Sequence, residues 1–414
     1  METIKIVNLT IGIIFLLCYL YQLYYVPIAL LKKEKPRLVE KLHNYAVLIS
    51  ARNEEKVIAS LIESINKQSY PFERITVFVV ADNCTDNTAE YAACANAVVY
   101  ERHNQIQVGK GYALNYLLEH IVEDYGIETF DGYFVFDADN ILDRDYISEM
   151  NKVFSDGYHI ITSYRNSKNY GDNWISAGYG LWFLRESKYL NNARMLLNTS
   201  CAVSGTGFVF SREILRKNGG WKFFLLTEDI EFSVHSIING EKIGYCKDAV
   251  IYDEQPTNIS QSWNQRLRWS KGYLQVFQRY GYKLMKESLK GSFSSFDMSM
   301  TILPAVFVTI IGLLINLSAA AMGVLAGTKG WLSIYLAFGI LKNAYFTLFA
   351  FGLITTVTEW KNINTKTWKK ILYVFTFPIF MLTYIPITIV AVFKNVEWEP
   401  ISHNCNISID DIRR

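Results

Sequence analysis

Charge is scarce in this sequence, since 19% of its 414 residues are Asp, Glu, Lys or Arg, against about 25% in a typical soluble protein. The 41 basic and 39 acidic residues nearly cancel, so nucleic acid is not expected as a partner. Hydrophobic residues make up 50% of the chain, which excludes intrinsic disorder. The shortage of charge and the hydrophobic content together predict a protein that lies partly in a lipid bilayer.

Sequence signatures for several cofactors are missing as well. None of the six cysteines forms a CxxC pair, and the six histidines form neither HExxH nor a Cys/His zinc pattern. Scattered cysteines in a long chain are typical of reduced thiols, so neither a disulfide scaffold nor a structural zinc site is expected. No GxGxxG follows the first predicted strand, which argues against a nicotinamide-type cofactor.

The first long apolar run is residues 9–31. It carries no charge and is long enough to cross roughly 30 Å of hydrocarbon as a helix. A basic cluster follows it, formed by Lys32, Lys33, Lys35 and Arg37. Because the positive charges come after the run, it is predicted to be an anchor whose C-terminal end is cytoplasmic, and not a cleaved signal peptide.

Three more apolar runs lie at 298–327, 331–357 and 371–393, with a Lys-rich loop at 358–370. They predict a multi-pass plasma-membrane protein with four spans and with both ends of the chain outside. Two prolines in the last run leave open that it bends and re-enters. Lys342 in the third run either lines a polar path or extends its ammonium to the interface and packs against protein.

The cytosolic part alternates strand and helix patterns. Strands are predicted at 45–51, 75–81, 97–100 and 132–136, and helices at 54–67, 86–94 and 109–122. This alternation predicts an α/β sheet that is largely parallel at its start. Ligands of such sheets bind beyond the carboxyl ends of the strands, where polar clusters occur at 50–55, 82–86 and 137–139.

Asp137 and Asp139 follow a buried strand directly. Side chains at i and i+2 point to the same side, so the two carboxylates can share one hard divalent cation. Mg²⁺ or Mn²⁺ bound by one or two carboxylates and by substrate phosphates is the usual arrangement for a nucleoside diphosphate. A second acidic pair, Asp143 and Asp145, precedes a helix and is interpreted as structural, because acidic residues are favoured at helix N-termini.

Three further segments have both a structural and a chemical interpretation. Lys110, between two glycines at a helix start, either approaches a phosphate or belongs to a flexible turn. Thr227, Glu228 and Asp229 form either a Thr cap with an acidic first turn or a site where a carboxylate takes a proton from an attacking hydroxyl. The turn at 204–207 either lies close to a ligand or is only a turn.

Gln265, Arg268 and Trp269 lie on one face of a predicted helix. Arg268 is suited to a diphosphate leaving group, and Trp269 is suited to stacking on a sugar ring. An apolar stripe lies beside them, formed by Trp263, Leu267, Leu274 and Phe277. The alternative interpretation is a plain amphipathic helix on the membrane surface.

In this order the motifs resemble those of the membrane-integrated family 2 glycosyltransferases, which include cellulose, hyaluronan, chitin and poly-N-acetylglucosamine synthases. The resemblance is carried by Asp82, the DxD at 137–139, the TED at 227–229 and the QxxRW at 265–269. It implies a GT-A α/β fold inserted between transmembrane helices, with amphipathic interface helices. It also implies an inverting displacement at the anomeric carbon of a UDP-sugar.

The resemblance further implies roles for individual residues. The donor would be bound by Ala51, Arg52, Glu54, Asp82, Lys110, Asp137, Gln265, Arg268 and Trp269. The acceptor would be bound by Thr206 and Trp269. The general base would be Asp229, with Glu228 beside it. The Mg²⁺ or Mn²⁺ on the diphosphate would be held by Asp139 together with Asp137.

The expected organisation has five parts. They are an anchor at 1–37, a cytosolic GT-A catalytic domain at 38–258, interface helices at 259–297, three transmembrane helices at 298–393 and a short tail at 394–414. Because four spans are fewer than many synthases have, a homodimer or an accessory export subunit is expected in addition to membrane lipids.

Three functions are open. The first is a processive synthase that adds a UDP-sugar to a growing polysaccharide and exports it, with UDP-glucose and a β-glucan preferred over UDP-N-acetylglucosamine. The second is transfer of a single sugar to a membrane lipid. The third is a non-catalytic membrane binding protein, against which the complete set of motifs argues.

Overall fold

The computed structural model describes residues 2–34, 37, 41–303, 305–325, 331–401, 403–407 and 409, so that Lys35 of the basic cluster lies outside the described residues. The strands are β1 (Tyr45–Ala51), β2 (Ile75–Asp82), β3 (Val98–Arg102), β4 (Gly132–Asp137), β5 (Ile141–Leu142), β6 (Ile160–Ser167), β7 (Phe208–Ser211) and β8 (Ile243–Asp253).

The helices of the catalytic part are α2 (Ile58–Asn66), α3 (Thr88–Cys94), α4 (Lys110–Tyr125), α5 (Tyr146–Ser155), α6 (Trp174–Arg185), α7 (Asn192–Leu196), α8 (Arg212–Asn218) and α9 (Glu228–Ile238). A π-helical segment, Glu186–Asn191, joins α6 to α7. The remaining helices are α1 (Glu2–Leu31), α10 (Ile259–Leu289), α11 (Phe293–Ile302), α12 (Ala305–Leu325), α13 (Trp331–Thr358), α14 (Thr367–Leu382) and α15 (Tyr384–Phe393).

The strands form one mixed sheet in the order β3-β2-β1-β4-β7-β6-β8-β5. The first four are mutually parallel, with Ile49 of β1 aligned with Val79 of β2 and Phe136 of β4. These three residues are fully or almost fully buried, as expected for parallel strands that are covered by helices on both faces. The prediction of an α/β sheet that is parallel at its start is confirmed.

The loops after β1 and β2 are shaped by two asparagines. The helix predicted from residue 54 begins only at Ile58, which leaves a turn in which Asn53 has φ 57°, and Asn83 has φ 54° after β2. Asparagine tolerates this left-handed conformation better than most residues. The Asn53 side-chain oxygen accepts the N–H of Thr85 at 2.8 Å, so the two loops are joined at the edge of the sheet.

Gly111, in the first turn of α4, allows a close approach to another loop. A Cβ built at this position would lie 2.1 Å from the backbone oxygen of Phe223. Gly109, which precedes the helix, has φ +132°, a conformation that favours glycine. Gly111 therefore allows α4 to pack closely on the loop at Phe223, and Gly109 allows the backbone turn that precedes Lys110.

Four helices are long and apolar enough to cross a membrane, at Ile6–Leu31, Phe307–Leu325, Ser333–Thr358 and Thr367–Phe393. They coincide with the four predicted runs. Large apolar side chains of α1 such as Leu16, Leu17 and Leu20 are 52%, 71% and 49% exposed, which is the expected environment for side chains that face lipid. The protein is therefore a membrane protein.

The last apolar segment enters and leaves on the side of the catalytic domain. Near its start, Lys369 donates to the backbone oxygen of Gly171, and near its end the backbone oxygen of Ala391 accepts from Lys271 of α10 at 3.1 Å. Further on, the backbone N–H groups of Asn404 and Cys405 donate to the carboxylate of Glu254 at 3.0 and 2.8 Å. The expectation that the tail lies outside is therefore wrong.

The physical reason for this re-entry is the helix break between α14 and α15. Pro386 has no N–H for the carbonyl of Leu382, one turn earlier, and its ring disfavours a straight continuation. Arg266 of α10 binds at the break, donating to the backbone oxygen of Phe380 at 3.2 Å and to the hydroxyl of Thr383 at 2.5 Å. Hydropathy predicts the length of the segment, and the two prolines in the run had left open that it bends and re-enters.

The apolar stripe on α10 is covered by protein. Leu267 packs against Ile387 and Ala391 of α15, with Trp263 and Leu274 around them. The part of the stripe around Leu267 therefore packs on α15.

A buried ion pair joins the catalytic domain to the membrane helices. The guanidinium of Arg194, in α7, contacts both carboxylate oxygens of Asp297, in α11, at 2.7 and 2.8 Å. The hydroxyls of Tyr21 and Tyr25, in α1, donate to the same carboxylate at 2.7 and 2.8 Å. Arg194 is 2% exposed and Asp297 is 1% exposed, so the full set of hydrogen bonds is needed to compensate for their desolvation.

Removal of one partner of this pair is expected to be severe. Asp297→Ala leaves the Arg194 guanidinium buried without a counter-ion and should lower the free energy of unfolding by about 3–5 kcal/mol. The measurement is thermal unfolding of purified protein in one detergent. The double variant Arg194→Met with Asp297→Leu buries no charge and should recover much of the loss, whereas a single variant as stable as the wild type would contradict the role of the pair.

The re-entrant topology is tested by labelling cysteines from one side of the membrane. Glu397→Cys in the tail should react with a membrane-impermeant maleimide from the same side as Glu63→Cys in α2, and Leu325→Cys at the end of α12 should react from the opposite side. Peptide mass spectrometry of right-side-out and inside-out vesicles separates these positions from the native cysteines. Labelling of residues 397 and 325 from the same side would show that α14–α15 crosses the bilayer.

Candidate active site

The carboxyl ends of β1, β2 and β4 open into one cavity of about 1260 Å³. Most of the predicted site residues line it, namely Arg52, Glu54, Asp82, Lys110, Asp137, Asp139, Glu228, Asp229, Gln265, Arg268 and Trp269. Ala51 and Thr206 are buried and are not among the residues that line it. Lys342 lines the same cavity within α13, as expected from its polar-path interpretation.

Asp82 is held by a buried cation. An Arg102 guanidinium nitrogen lies 2.6 Å from the Asp82 carboxylate, and both side chains are 5% exposed. A second nitrogen of Arg102 donates to the backbone oxygen of Gln107 at 2.7 Å. Sequence reasoning missed Arg102, because it ended the third strand at residue 100. The strand continues to Arg102, which the parallel register places opposite Asp82.

Lys110 lies among the carboxylates that line the cavity. Its ammonium contacts the Asp137 carboxylate and donates to the backbone oxygen of Gly205 at 2.8 Å. Burial alone would lower the pKa of Lys110, but Asp137, Glu228 and Asp229 outweigh it and raise the pKa. The side chain therefore remains a cation in the region where a diphosphate would lie.

Thr206 has a different position from the one expected. It is 3% exposed, its hydroxyl donates to the side-chain oxygen of Asn140, and it accepts the backbone N–H of Asp137 at 2.9 Å. The Thr206 hydroxyl therefore helps to position Asp137, and the residue does not line the cavity. Asn140, which sequence reasoning missed, completes this turn.

Glu228 and Asp229 begin α9 inside the cavity. One oxygen of Asp229 accepts the backbone N–H of Gly205 at 2.6 Å. Burial, followed by the charge of Asp229, raises the pKa of Glu228 to about 7. Burial also raises the pKa of Asp229, although hydrogen bonds from backbone N–H groups and the charge of Lys110 oppose this. Two carboxylates in such a setting are suited to accept a proton near neutral pH.

Thr227 does not act as the expected helix cap. Its hydroxyl has no hydrogen-bond partner in the part of the chain that the structure describes. A Cβ on Gly272 of α10 would lie 2.5 Å from its methyl carbon, so close packing of α10 determines where this loop lies. The DxD-like pair Asp143 and Asp145 precedes α5, as the structural interpretation predicts.

The QxxRW residues face the cavity from α10. Arg268 donates to the backbone oxygen of Leu226 at 3.0 Å. Trp269 packs edge-on against Tyr179 and Phe183, with ring centroids 5.7 and 6.3 Å away. The buried side-chain oxygen of Gln265 finds no protein partner among the described residues, and it is therefore free for a ligand donor.

The carboxylates around Asp139 suit a divalent cation that a substrate also helps to hold. Asp139 accepts the backbone N–H of Glu254 at 2.6 Å. The neighbouring Asp253 is held by Arg165 through one oxygen at 2.6 Å, and its other oxygen is buried without a partner within the described ranges. Burial, with the charge of Asp139, raises the pKa of Asp253 to about 6. Sequence reasoning missed Asp253, at the end of β8.

No group of three His, Cys, Asp or Glu side chains is arranged to hold a metal ion by itself in the described residues. An ion here would need oxygen ligands from a substrate, which is the arrangement that Mg²⁺ and Mn²⁺ adopt on phosphates. The hard carboxylate oxygens of Asp137 and Asp139, together with the unpartnered oxygen of Asp253, fit such an ion.

The C-terminal tail covers one end of the cavity. The His403 ring nitrogen donates to the Glu54 carboxylate at 2.9 Å, and the Arg52 guanidinium lies over the ring of Trp398 at 5.3 Å. Burial would lower the pKa of His403, but Asp139, Glu54 and Glu254 outweigh it and raise the pKa to about 10. Sequence reasoning missed this contact, because nothing local relates residue 403 to residue 54.

The sequence pattern described as glycosyltransferase like family 2 matches residues 43–272 of the chain. The chain belongs to this family. Among similar proteins, beta-monoglucosyldiacylglycerol synthase of Synechocystis sp. is 25% identical over 244 residues, which cover 56% of this chain and 48% of the relative. Poly-beta-1,6-N-acetyl-D-glucosamine synthase of Staphylococcus aureus is 24% identical over 267 residues, which cover 61% of this chain and 60% of the relative. The chain thus spans about half the length of the curated relatives it matches.

Among solved structures, the mannosyltransferase PcManGT from Pyrobaculum calidifontis, in complex with GDP-Man and Mn²⁺, has a similar fold. The TM-score is 0.58 at 16% identity, and the match covers 94% of this chain and 99% of that chain. The predicted GT-A fold is confirmed. The prediction that this family 2 glycosyltransferase is an enzyme is also confirmed, whereas a processive type stays a prediction.

The raised pKa values of Glu228 and Asp229 predict an acidic limb in the pH profile of the transferase. A base with a raised pKa is protonated, and therefore inactive, at a higher pH than usual, so kcat/KM should fall as the pH decreases from about 7. Glu228→Gln removes one of two interacting carboxylates and should move the limb to lower pH. The measurement is the initial rate of nucleotide release between about pH 5 and 8, where folded proteins tend to be most stable.

The control for this profile is Glu123→Gln, a change at an exposed position of α4. It should leave the acidic limb where it is in the wild type. A limb that does not move in Glu228→Gln would show that another group controls it.

Proposed function

We propose that this glycosyltransferase moves a hexose from a UDP-sugar to an acceptor lipid in the membrane, with inversion at the anomeric carbon. The observation that carries the proposal is the continuity of the cavity, which extends from Asp229 into the membrane-spanning helices. The curated relative from Synechocystis sp. is named for the synthesis of a glucosylated diacylglycerol, which supports glucose as the sugar and a lipid as the acceptor.

The membrane half of the cavity is mostly apolar. Its lining includes Phe15, Leu16, Tyr19, Leu20 and Leu23 of α1, Phe307 and Val308 of α12, and Tyr335, Leu336, Phe338, Leu348 and Phe351 of α13. Burial of hydrocarbon against such a surface is favourable by about 0.8 kcal/mol for each CH₂ group. A lipid tail therefore suits this half of the cavity, and a free sugar does not.

The membrane half of the cavity, here called the apolar groove, is also open towards the bilayer. Leu16, Leu20, Leu23 and Phe338 line the cavity and are nevertheless 52%, 49%, 51% and 65% exposed. Side chains that are exposed at membrane depth contact lipid. An acceptor lipid can therefore enter from the bilayer between α1 and α13 and bring its head group to Asp229 without crossing water.

The proposed reaction uses groups that already lie around the cavity. Asp229 takes the proton of the acceptor hydroxyl, whose oxygen forms a bond to the anomeric carbon while the bond from that carbon to the diphosphate breaks. Lys110 and Arg268 carry positive charge towards the leaving UDP, and Asp82 lies at the nucleoside end. A Mg²⁺ or Mn²⁺ ion held by Asp139 and Asp137 would supply further neutralisation of the diphosphate.

Polysaccharide synthesis is the second candidate. Trp182 and Trp269 line the cavity with aromatic rings, and Lys342 and Asn343 bring polar groups to its membrane half. Such features would suit a growing chain of glucose or N-acetylglucosamine that is exported. The relative from Staphylococcus aureus is named for the synthesis of a polymer of this kind.

The two candidates differ in their product. In nanodiscs with Mn²⁺, UDP-glucose, UDP-N-acetylglucosamine, UDP-galactose, UDP-glucuronate and GDP-mannose are offered separately, and nucleotide release and product size are followed. We expect one UDP-sugar to label a lipid that partitions into organic solvent. Asp229→Asn should reduce this transfer by about 10²–10⁴-fold, chelation of the metal should abolish it, and Glu123→Gln should leave it unchanged.

Each other result has a defined meaning. A high-molecular-weight product that remains in the aqueous phase would favour the second candidate. If only GDP-mannose supports transfer, a UDP-sugar is rejected as the donor. Activity that survives both Asp229→Asn and the chelator would reject the proposed site.

A further inference from the structure

Arg185 lies where the regular helix geometry changes. It is the last residue of α6, and the π-helical segment Glu186–Asn191 follows at once. π-helical turns within α-helices are rare and are frequently found at functional sites, because the extra residue redirects the side chains around it. Arg185 and Glu186 both line the cavity.

The Arg185 guanidinium is buried without an anionic partner. It is 8% exposed, donates to the side-chain oxygen of Gln22 at 3.0 Å, and lies over the rings of Trp182 and Phe351 at 5.1 and 5.0 Å. No carboxylate lies within ion-pair distance of it in the described ranges.

Two of the other four arginines that line this cavity differ in this respect. Arg165 is paired with Asp253, and Arg194 is paired with Asp297. The remaining two, Arg52 and Arg268, also have no carboxylate within ion-pair distance in the described residues, but they are less buried than Arg185. Glu186, beside Arg185 in the chain, accepts instead from the hydroxyl of Ser204 at 3.2 Å. Burial lowers the pKa of Arg185 to about 10, and the charge of Glu186 opposes this only in part. A buried cation of this kind is costly unless a ligand compensates it.

The position of Arg185 indicates which ligand would compensate its charge. A short series of contacts leads from Asp229 to the N–H of Gly205, then to Ser204 and to Glu186. On its other side Arg185 contacts Gln22 of α1 and Phe351 of α13. It therefore lies at the junction between the proposed base and the apolar groove, which is the place of an acceptor's head group.

We propose that Arg185 binds a phosphate group of the acceptor, so that the acceptor is a phosphate-bearing lipid and not a neutral one. This inference rests on the proposed lipid-directed function. A guanidinium offers two parallel N–H donors, which match a phosphate in geometry and in charge. The phosphate itself is unchanged: a head-group hydroxyl loses its proton to Asp229 and forms the bond to the sugar as UDP leaves.

The test compares acceptors in nanodiscs of phosphatidylcholine, whose head group has no hydroxyl. The matrix contains diacylglycerol in one arm, phosphatidylglycerol in a second and a polyprenyl-diphosphate-linked sugar in a third, and kcat and KM for each acceptor are measured with the active donor. We expect one of the two phosphate-bearing acceptors to have a kcat/KM at least about 10-fold above that of diacylglycerol. The second and third arms distinguish a glycerophospholipid from a polyprenyl carrier.

Arg185→Gln removes the charge and keeps a polar side chain. We expect it to raise KM for the phosphate-bearing acceptor by about 10-fold or more, with kcat and the KM of the donor little changed, because the lost contact binds the ground state and the transition state equally. Arg185→Lys keeps the charge without the two parallel donors. Its KM for the phosphate-bearing acceptor should lie between the values for the wild type and for Arg185→Gln. The matched control is Arg144→Gln, at an exposed position before α5.

A purely structural role for Arg185 would give a different result. It would lower thermal stability and reduce transfer to all acceptors alike, and that outcome would overturn the inference. Preference of the wild type for diacylglycerol, unchanged in Arg185→Gln, would also overturn it and would leave the lipid-directed function intact. Donor-dependent nucleotide release with no lipid product in any arm would instead reject the proposed function.

Discussion

The burial of many carboxylates around one cavity is the constraint on which the rest of the structure depends. Each needs compensation, and the compensating cations come from distant parts of the chain. The buried pairs are Asp82 with Arg102, Asp253 with Arg165, and Glu54 with His403. Asp137, which is partly exposed, pairs with Lys110. The sheet, the start of α4 and the tail must therefore all be in place before the carboxylates around the cavity have their compensating cations. Glu228 and Asp229 share Lys110 and Arg268 and keep raised pKa values, which is what a base requires.

A second constraint is the alignment of the soluble and membrane parts, because a continuous cavity has walls from both. Arg194 and Asp297 fix α7 against α11, and the hydroxyls of Tyr21 and Tyr25 bring α1 to the same point. Arg266 performs the corresponding role for the break between α14 and α15. Arg194 and Arg266 are buried and hydrogen-bonded to partners distant in sequence. Their role is to fix helices relative to one another and not to take part in the reaction.

Local pattern explains which parts could be predicted from the sequence. The strands that end at Ala51, Asp82 and Asp137 are continuous apolar runs followed by polar clusters, and the TED and QxxRW segments are recognisable at short range. Local pattern could not identify Arg102, Asp253 and His403. Each is placed in the site by an ion pair with a residue that is distant in the sequence. The family resemblance assigned Thr206 to the acceptor, and only the structure shows that its hydroxyl is hydrogen-bonded inside the fold.

The distribution of charge along the cavity provides a reason for its two ends to take different substrates. Near Asp139 and Asp253 several carboxylates lie together, and Arg165 and His403 compensate part of their charge. A divalent cation held there would favour a diphosphate, together with Lys110 and Arg268. At the other end, Arg185 is a cation without a carboxylate partner in the described part of the chain, and the walls beyond it are apolar. On the proposed function, the nucleotide sugar would lie at the carboxyl ends of the strands and the lipid in the membrane half of the cavity, with Asp229 between them.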